Sequence, residues 1–281
     1  MDMKGTIDGA VGASYDSIKK NDGDYIGEDG LLYCGKCETP KQTRLEVFGV
    51  EKTPMCLCKC EKKRMDNEAR AERLRCLVNA YRHDCFSDSR MQEWNFSNDD
   101  GESERIMRIA KNYVENFEKM RGDGKGLLLF GNVGGGKTFT AACIANAVID
   151  RCFSCKMTNF AQIANTVQGM FDGRQEYYDG LMKYDLLVID DLSAERKTEY
   201  MQEIVFNVID SRYRSGLPLI VTSNLTSEEL RNPADVTYQR IFSRLLEMCV
   251  PIEVKGKDRR KQILKDTFGE YADILGLREG E

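Results

Sequence analysis

Eight residues, Gly131-Asn132-Val133-Gly134-Gly135-Gly136-Lys137-Thr138, limit what this chain can fold into more than any other stretch. They lie between an apolar run at residues 127–130 and residues 138–152, where Ala141, Ile144, Ala145 and Val148 recur at helical spacing. A buried strand that turns abruptly into a helix needs such a bend. Glycine adopts positive φ and leaves no Cβ between the backbone and whatever the bend encloses. The order matches G-x-x-x-x-G-K-[ST], a loop whose successive N–H groups surround a polyphosphate while the following helix adds its unpaired amides and positive dipole end. All eight residues are therefore candidates for nucleotide contact. Lys137 would reach the β- and γ-phosphates and the Thr138 hydroxyl would ligate Mg²⁺. Phe139, next in line, is counted with them.

A nucleotide site needs a second group on the metal side. Residues 186–189, Leu-Leu-Val-Ile, read as a buried strand that carries Asp190 and Asp191 to its carboxyl end. Ligands gather at that end in open α/β sheets. Asp190 is expected to hold the Mg²⁺ shell and Asp191 to polarise the attacking water. A third strand, 217–221, runs on into Thr222-Ser223-Asn224. Asn224 is expected to orient water or touch the γ-phosphate; the alternative is a strand-end or helix-capping residue ahead of Ser227-Glu228-Glu229.

Around these motifs strands alternate with helical patterns at 161–171, 200–213, 235–248 and 257–268, which predicts a parallel α/β sheet covered on both faces. Upstream, 104–120 reads as one helix. Residues 59–90 read as a charged amphipathic helix on Leu74, Leu77, Val78 and Tyr81. The expected domains are a loose tail at 1–24, a cysteine-rich module at 25–64, a helical linker at 65–122 and the nucleotide-binding domain at 123–281. No apolar run approaches the roughly 20 residues that span a bilayer. The amino terminus lacks a signal-peptide core, so a cytoplasmic protein with reduced thiols and no membrane contact is expected. A net charge of -5 excludes a uniformly basic coat but not local basic patches. One such patch is Lys59, Lys62, Lys63 and Arg64, a candidate DNA contact. Phe139, Tyr177 and Tyr178 are either base-stacking or packing aromatics.

Five of the eleven cysteines, Cys34, Cys37, Cys56, Cys58 and Cys60, crowd one segment. Two close groups of sulfur about 20 residues apart suit a tetrahedral Zn²⁺ site, with LEVFGVEKTPM forming a hairpin between them. The other six are expected to be small buried hydrophobes. His83 lies outside the cluster and is expected on the surface or in helix packing.

Together GLLLFGNVGGGKTFTAACIANAVI, DLLVIDDLSAE, LIVTSN and YQRIFSRLLEMCVPIEVKGKDRR resemble the AAA+ ATPases, and within them the bacterial and phage replicative-helicase loaders and the helper ATPases of insertion-sequence transposition. LYCGKCETPKQ and CLCKCEKKR are similar to the amino-terminal zinc segment of the phage-type loaders. The resemblance implies a five-stranded parallel sheet with the phosphate-loop strand central, and a protein that self-associates or works against neighbouring ATPase subunits. It implies that Arg244, with Arg240 as the alternative, is an arginine finger completing a neighbour's site, and that Arg260 contacts phosphate in cis. It implies Cys34, Cys37, Cys58 and Cys60 as zinc ligands, with Cys56 as the alternative to Cys58 or Cys60. Two departures stand out. Gly135 replaces the usual Ser or Thr, and Asp191 replaces the usual glutamate, with Glu195 as a possible assistant. The shorter acid points to slow hydrolysis stimulated by single-stranded DNA. The function this implies is an ATP-dependent loader of a replicative helicase from a phage or mobile element. The rivals are a transposition helper on duplex target DNA and a nucleotide-responsive interaction protein with negligible hydrolysis.

Overall fold

The computed structural model describes residues 21–192, 198–233 and 236–256, together with 258, 264, 267, 268, 270–272, 274 and 275. It divides into two compact units, one up to Cys76 and one from Leu77 onward.

The first unit is built from very short elements. Strands β1 (Tyr25–Ile26) and β2 (Leu32–Tyr33) pair antiparallel, as do β3 (Leu45–Val47) and β4 (Val50–Lys52). Phe48 and Gly49 close the second hairpin with φ of 54° and 77°. Two residues at positive φ match the right-handed twist of the flanking strands. Every residue of β3 and β4 is exposed, so this hairpin buries no core. The interior holds Leu31, Leu32, Cys34 and Cys58 beside the buried ion pair of Lys41 Nζ with Asp24 Oδ2 at 2.8 Å. Asp24 also accepts from the Gly35 amide, so the tail expected at 1–24 is at least one residue shorter than that. Residues 1–20 lie outside the described residues.

Helix α1 (Lys59–Cys85) follows. The amphipathic stripe expected of it forms only towards its carboxyl end: Leu74 and Leu77 are exposed, Val78 and Tyr81 are half-buried and pack against the core of the second unit, and Cys85 is buried. Its apolar residues are too few to make a continuous face, and charges surround it on all sides. His83 is exposed.

The second unit is a five-stranded parallel sheet in the order β6-β7-β8-β5-β9, with β5 (Gly126–Gly131), β6 (Cys155–Thr158), β7 (Leu186–Leu192), β8 (Leu219–Ser223) and β9 (Cys249–Val254). The phosphate-loop strand β5 is interior, between β8 and β9, but β8 occupies the middle. Successive side chains alternate across the sheet. Leu128 and Phe130 face one core, and Leu127 and Leu129 the other. The first core is closed by α5 (Phe160–Gln168), α6 (Arg174–Leu181), α7 (Glu199–Ser215) and α9 (Val236–Met248); a short helix, α8 (Ser227–Arg231), precedes α9. The second core is closed by α2 (Glu104–Glu115), α3 (Phe117–Gly122) and α4 (Lys137–Asp150).

The single helix expected at 104–120 is two, because Asn116 leaves helical geometry at φ -99°, ψ 18°. In the second unit, strands β6 and β9 and helices α6 and α8 were not legible, nor were β1 and β2 in the first. The run at β6 is half polar, α6 is short, and β9 carries Pro251, which a parallel sheet tolerates here because β9 is an edge. Of the six scattered cysteines, Cys85, Cys143, Cys155 and Cys249 are buried, Cys152 is half-buried and Cys76 is exposed, against expectation for the last. Tyr178 is buried and Tyr177 packs against the same core, so these two rings serve packing. Among the described residues no helix is long and apolar enough to cross a membrane.

Candidate nucleotide site and cysteine cluster

The bend leaves the carboxyl end of β5 and enters α4 directly. Gly131 has φ 127°, and a Cβ there would lie 2.6 Å from the Val254 carbonyl oxygen of β9. Gly136 caps α4 at φ 89°. Both positions thus require glycine. Gly135 does not: it lacks positive φ, and a Cβ would make ordinary contacts of 3.4–3.6 Å with Asn132 and Val254. Lys137 is buried, and its ammonium donates to the carbonyls of Gly131 at 2.9 Å and Asn132 at 2.6 Å. The cation is therefore held by carbonyls of the loop itself. Phe139 packs on Trp94, with ring centroids 5.6 Å apart.

Two strand ends, those of β7 and β8, and the start of α4 converge beside the loop. Thr138 Oγ1 donates to Asp190 Oδ1 at 2.9 Å. Thr222 Oγ1 donates to the same carboxylate oxygen at 2.6 Å and accepts the Asp191 amide at 2.8 Å. Asn224 Nδ2 donates to Asp191 Oδ1 at 2.8 Å. Asp191 adopts φ 59°, at a register shift between Ile189 and Leu192 in the β7–β8 ladder. That irregularity turns consecutive acids to different partners: Asp190 meets the helix start and Asp191 meets Asn224. The Thr138 hydroxyl and the Asp190 carboxylate are oxygen donors close enough to share one divalent cation's shell, the hard-ligand chemistry Mg²⁺ requires. Thr222 was not singled out by the sequence. The only signal was its place in Thr-Ser-Asn at a strand end.

The structure does not bring the two arginines to this cluster. Arg244 Nη2 pairs with Asp210 Oδ1 at 2.7 Å, and its guanidinium lies 4.8 Å from the Phe206 ring centre. Arg240 is exposed, makes no ion pair among the described residues, and lines a groove of about 390 Å³ between α7 and α9 with Glu199, Glu203 and Phe206. Arg260 and Glu195 lie outside the described residues.

In the first unit, the sulfurs of Cys34, Cys37, Cys58 and Cys60 all lie within 4.8 Å of one another. The Cys34–Cys60 and Cys58–Cys60 separations are 3.6 and 3.3 Å. Tetrahedral Zn–S bonds of about 2.3 Å place sulfurs about 3.8 Å apart, so this cluster fits such an ion. Cys56 is outside the cluster, with its sulfur 3.6 Å from the Pro40 carbonyl. The thiols influence one another strongly. A hydrogen bond from Thr39 holds Cys37 down at about 6, while the neighbouring Cys58 sulfur, with Cys37 and Cys34, pushes Cys60 up to about 12. Four sulfurs this close could all be thiolates only with a cation among them.

A family model described as IstB-like ATP binding protein matches residues 61–266. The replicative helicase loader DnaI of Bacillus subtilis (strain 168) is 27% identical over 169 residues, covering 56% of this chain and 53% of that protein. The replicative helicase loader DnaC of Escherichia coli (strain K12) is 27% identical over 140 residues, covering 48% and 55%. The chain thus spans about half the length of these loaders. The phage-like element PBSX protein XkdC of Bacillus subtilis (strain 168) is 24% identical over 226 residues, covering 77% of this chain and 79% of that protein. Among solved structures, the crystal structure of DnaI superposes with a TM-score of 0.52 at 26% identity, covering 62% of this chain and 95% of that one. The DnaC helicase loader shares the fold at a TM-score of 0.51 and 22% identity, covering 60% and 100%.

Proposed function

Because this chain belongs to the IstB-like ATP-binding proteins, we propose that it is an ATP-dependent loader of a replicative DNA helicase, acting in the cytoplasm for a phage or mobile element. The observation that carries this reading is the joined set Thr138, Asp190, Thr222, Asp191 and Asn224 at the mouth of the phosphate loop. It supports nucleotide chemistry. The similarity to the replicative helicase loaders DnaI and DnaC supports its use in loading.

In this reading the loop amides and Lys137 bind the triphosphate, and Thr138 and Asp190 hold Mg²⁺, which neutralises developing phosphate charge. Asp191, oriented by Asn224, accepts the proton of the attacking water. Asp191 is short and already engaged by Asn224, so turnover is slow until single-stranded DNA binds. Of the two arginines, Arg240 is better placed as the finger for a neighbour, because Arg244 is already paired to Asp210 and stacked on Phe206. Arg260 is proposed as the cis phosphate contact. Zn²⁺ on Cys34, Cys37, Cys58 and Cys60 ties together a unit with almost no apolar core.

The test is ATP turnover and nucleotide-dependent capture of the replicative helicase by the full chain. Lys137→Ala is expected to abolish nucleotide binding. Asp191→Asn is expected to keep binding and helicase capture while turnover falls by about a hundredfold. Capture that is indifferent to ATP and to Lys137→Ala would sink the loader. The matched family model also favours a second reading, a transposition helper on duplex target DNA. A marked preference for duplex over single-stranded DNA in the ATP state selects that alternative.

A further inference from the structure

Between residues 59 and 76 helix α1 is exposed on nearly its whole circumference, and its charges are not mixed evenly around it. At about 100° per residue, Lys59, Lys62, Lys63, Arg70 and Arg73 fall within one arc of roughly 100°. All five are exposed, and none makes an ion pair among the described residues. The ion pairs of this stretch, Arg64 with Glu61 and Glu68, and Arg75 with Glu72, lie on the opposite side. Asp66 is the single acid within the basic arc. The helix therefore compensates its own charge on one face and presents a row of cations about 21 Å long on the other, in a chain whose net charge is -5.

We propose that this face of α1 is a docking surface for the phosphate backbone of single-stranded DNA. The inference builds on the loader reading above and assigns residues to its DNA contact. Charge complementarity selects a polyanion. The lack of an apolar stripe excludes insertion into a bilayer surface, which needs a buried apolar face. One row of cations matches one row of phosphates. A duplex major groove flanks an inserted helix with two phosphate rows, and the second would meet Glu61, Glu68 and Glu72. With no aromatic side chain on the arc, binding follows the backbone and not the bases.

The test is the salt dependence of full-length protein binding to labelled oligothymidine, for wild type and for a variant carrying Lys62→Gln, Lys63→Gln, Arg70→Gln and Arg73→Gln. Glutamine keeps helix propensity, and circular dichroism checks the fold. Removing four phosphate contacts is expected to lower the slope of log affinity against log salt by about 3 and to weaken binding at least about tenfold. Arg64→Gln with Arg75→Gln, on the other face, is expected to leave both unchanged. An unaltered slope and affinity in the fourfold variant overturns the proposal, as does a loss confined to duplex DNA or to helicase capture. Helicase capture by wild type is read on the same samples. If the stripe binds DNA but wild type captures no helicase, the docking surface stands and the loader reading fails.

Discussion

Thr222 is buried between two acids and serves both, donating to the Asp190 carboxylate and accepting the Asp191 amide. Its hydroxyl ties the Asp190 carboxylate to the backbone amide of Asp191. Thr222→Val keeps shape and removes the hydroxyl. It leaves the Asp191 amide without its partner, at a cost of about 1–3 kcal/mol. Turnover is expected to fall by at least tenfold with a smaller change in nucleotide affinity, and Thr222→Ser is expected to restore it. Steady-state kinetics of the three proteins decide this, and equal turnover in the valine variant would refute it. Two adjacent glycines should separate in the same way. Gly135→Ser meets only ordinary contacts, so nucleotide affinity is expected to stay within about twofold while the melting temperature holds or rises, because the unfolded chain loses freedom. Gly136→Ala forces a Cβ onto φ 89° and is expected to cost more than about 1 kcal/mol and to weaken nucleotide binding. Isothermal titration and thermal melting read both.

Between elements, Arg212 is a buried polar tie outside the apolar cores. It is fully buried near the end of α7 and donates to the carbonyls of Pro218 at 2.6 and 3.1 Å, Tyr184 at 3.0 Å and Asp185 at 3.3 Å. It thereby joins the approaches to β7 and β8, the two strands whose far ends carry Asp190, Asp191 and Thr222. Burial pushes its pKa down to about 10, so it remains a cation at neutral pH. Arg212→Met leaves those carbonyls unsatisfied and is expected to destabilise the second unit by about 3 kcal/mol, read by denaturant unfolding. A change below about 0.5 kcal/mol would show that the carbonyls find other partners. In the first unit the equivalent tie is the cysteine cluster. Chelation, or Cys34→Ser, is expected to unfold that unit while nucleotide binding by the second persists. Metal analysis and tryptic cleavage within residues 21–76 check it.

Over the whole molecule, each unit has its own interior, and acid is expected to reach the first through Asp24. The hydrogen bond from the Lys41 ammonium holds the Asp24 carboxyl well below its usual 3.8, at about 2. A depressed folded pKa contributes stability that is complete above the unfolded value near 3.8 and is lost as pH falls through about 2. The first unit is therefore expected to lose stability between about pH 4 and pH 2 in wild type. Asp24→Asn removes that part of the acid response, at the cost of lower stability at neutral pH, because the buried Lys41 loses the Asp24 carboxylate. Melting curves of metal-loaded full chain across this range compare the two. An identical acid response would remove Asp24 from the account.

What the amino-acid sequence determined by itself is what neighbours along the chain decide. The phosphate loop is specified by glycines at positive φ between an apolar run and a helical pattern, and the hairpin by Phe48-Gly49 between two short strands. Which surfaces meet was decided only in three dimensions. The middle place of β8, the edge place that admits Pro251, the bridging of Asp190 to Thr222, the exclusion of Cys56 from the sulfur cluster and the pairing of Arg244 with Asp210 all join residues far apart in sequence. Periodicity and local propensity report on the next few residues and on the face that is buried. They carry no information about which buried faces lie side by side, because that choice is made by packing the whole set of elements around shared cores.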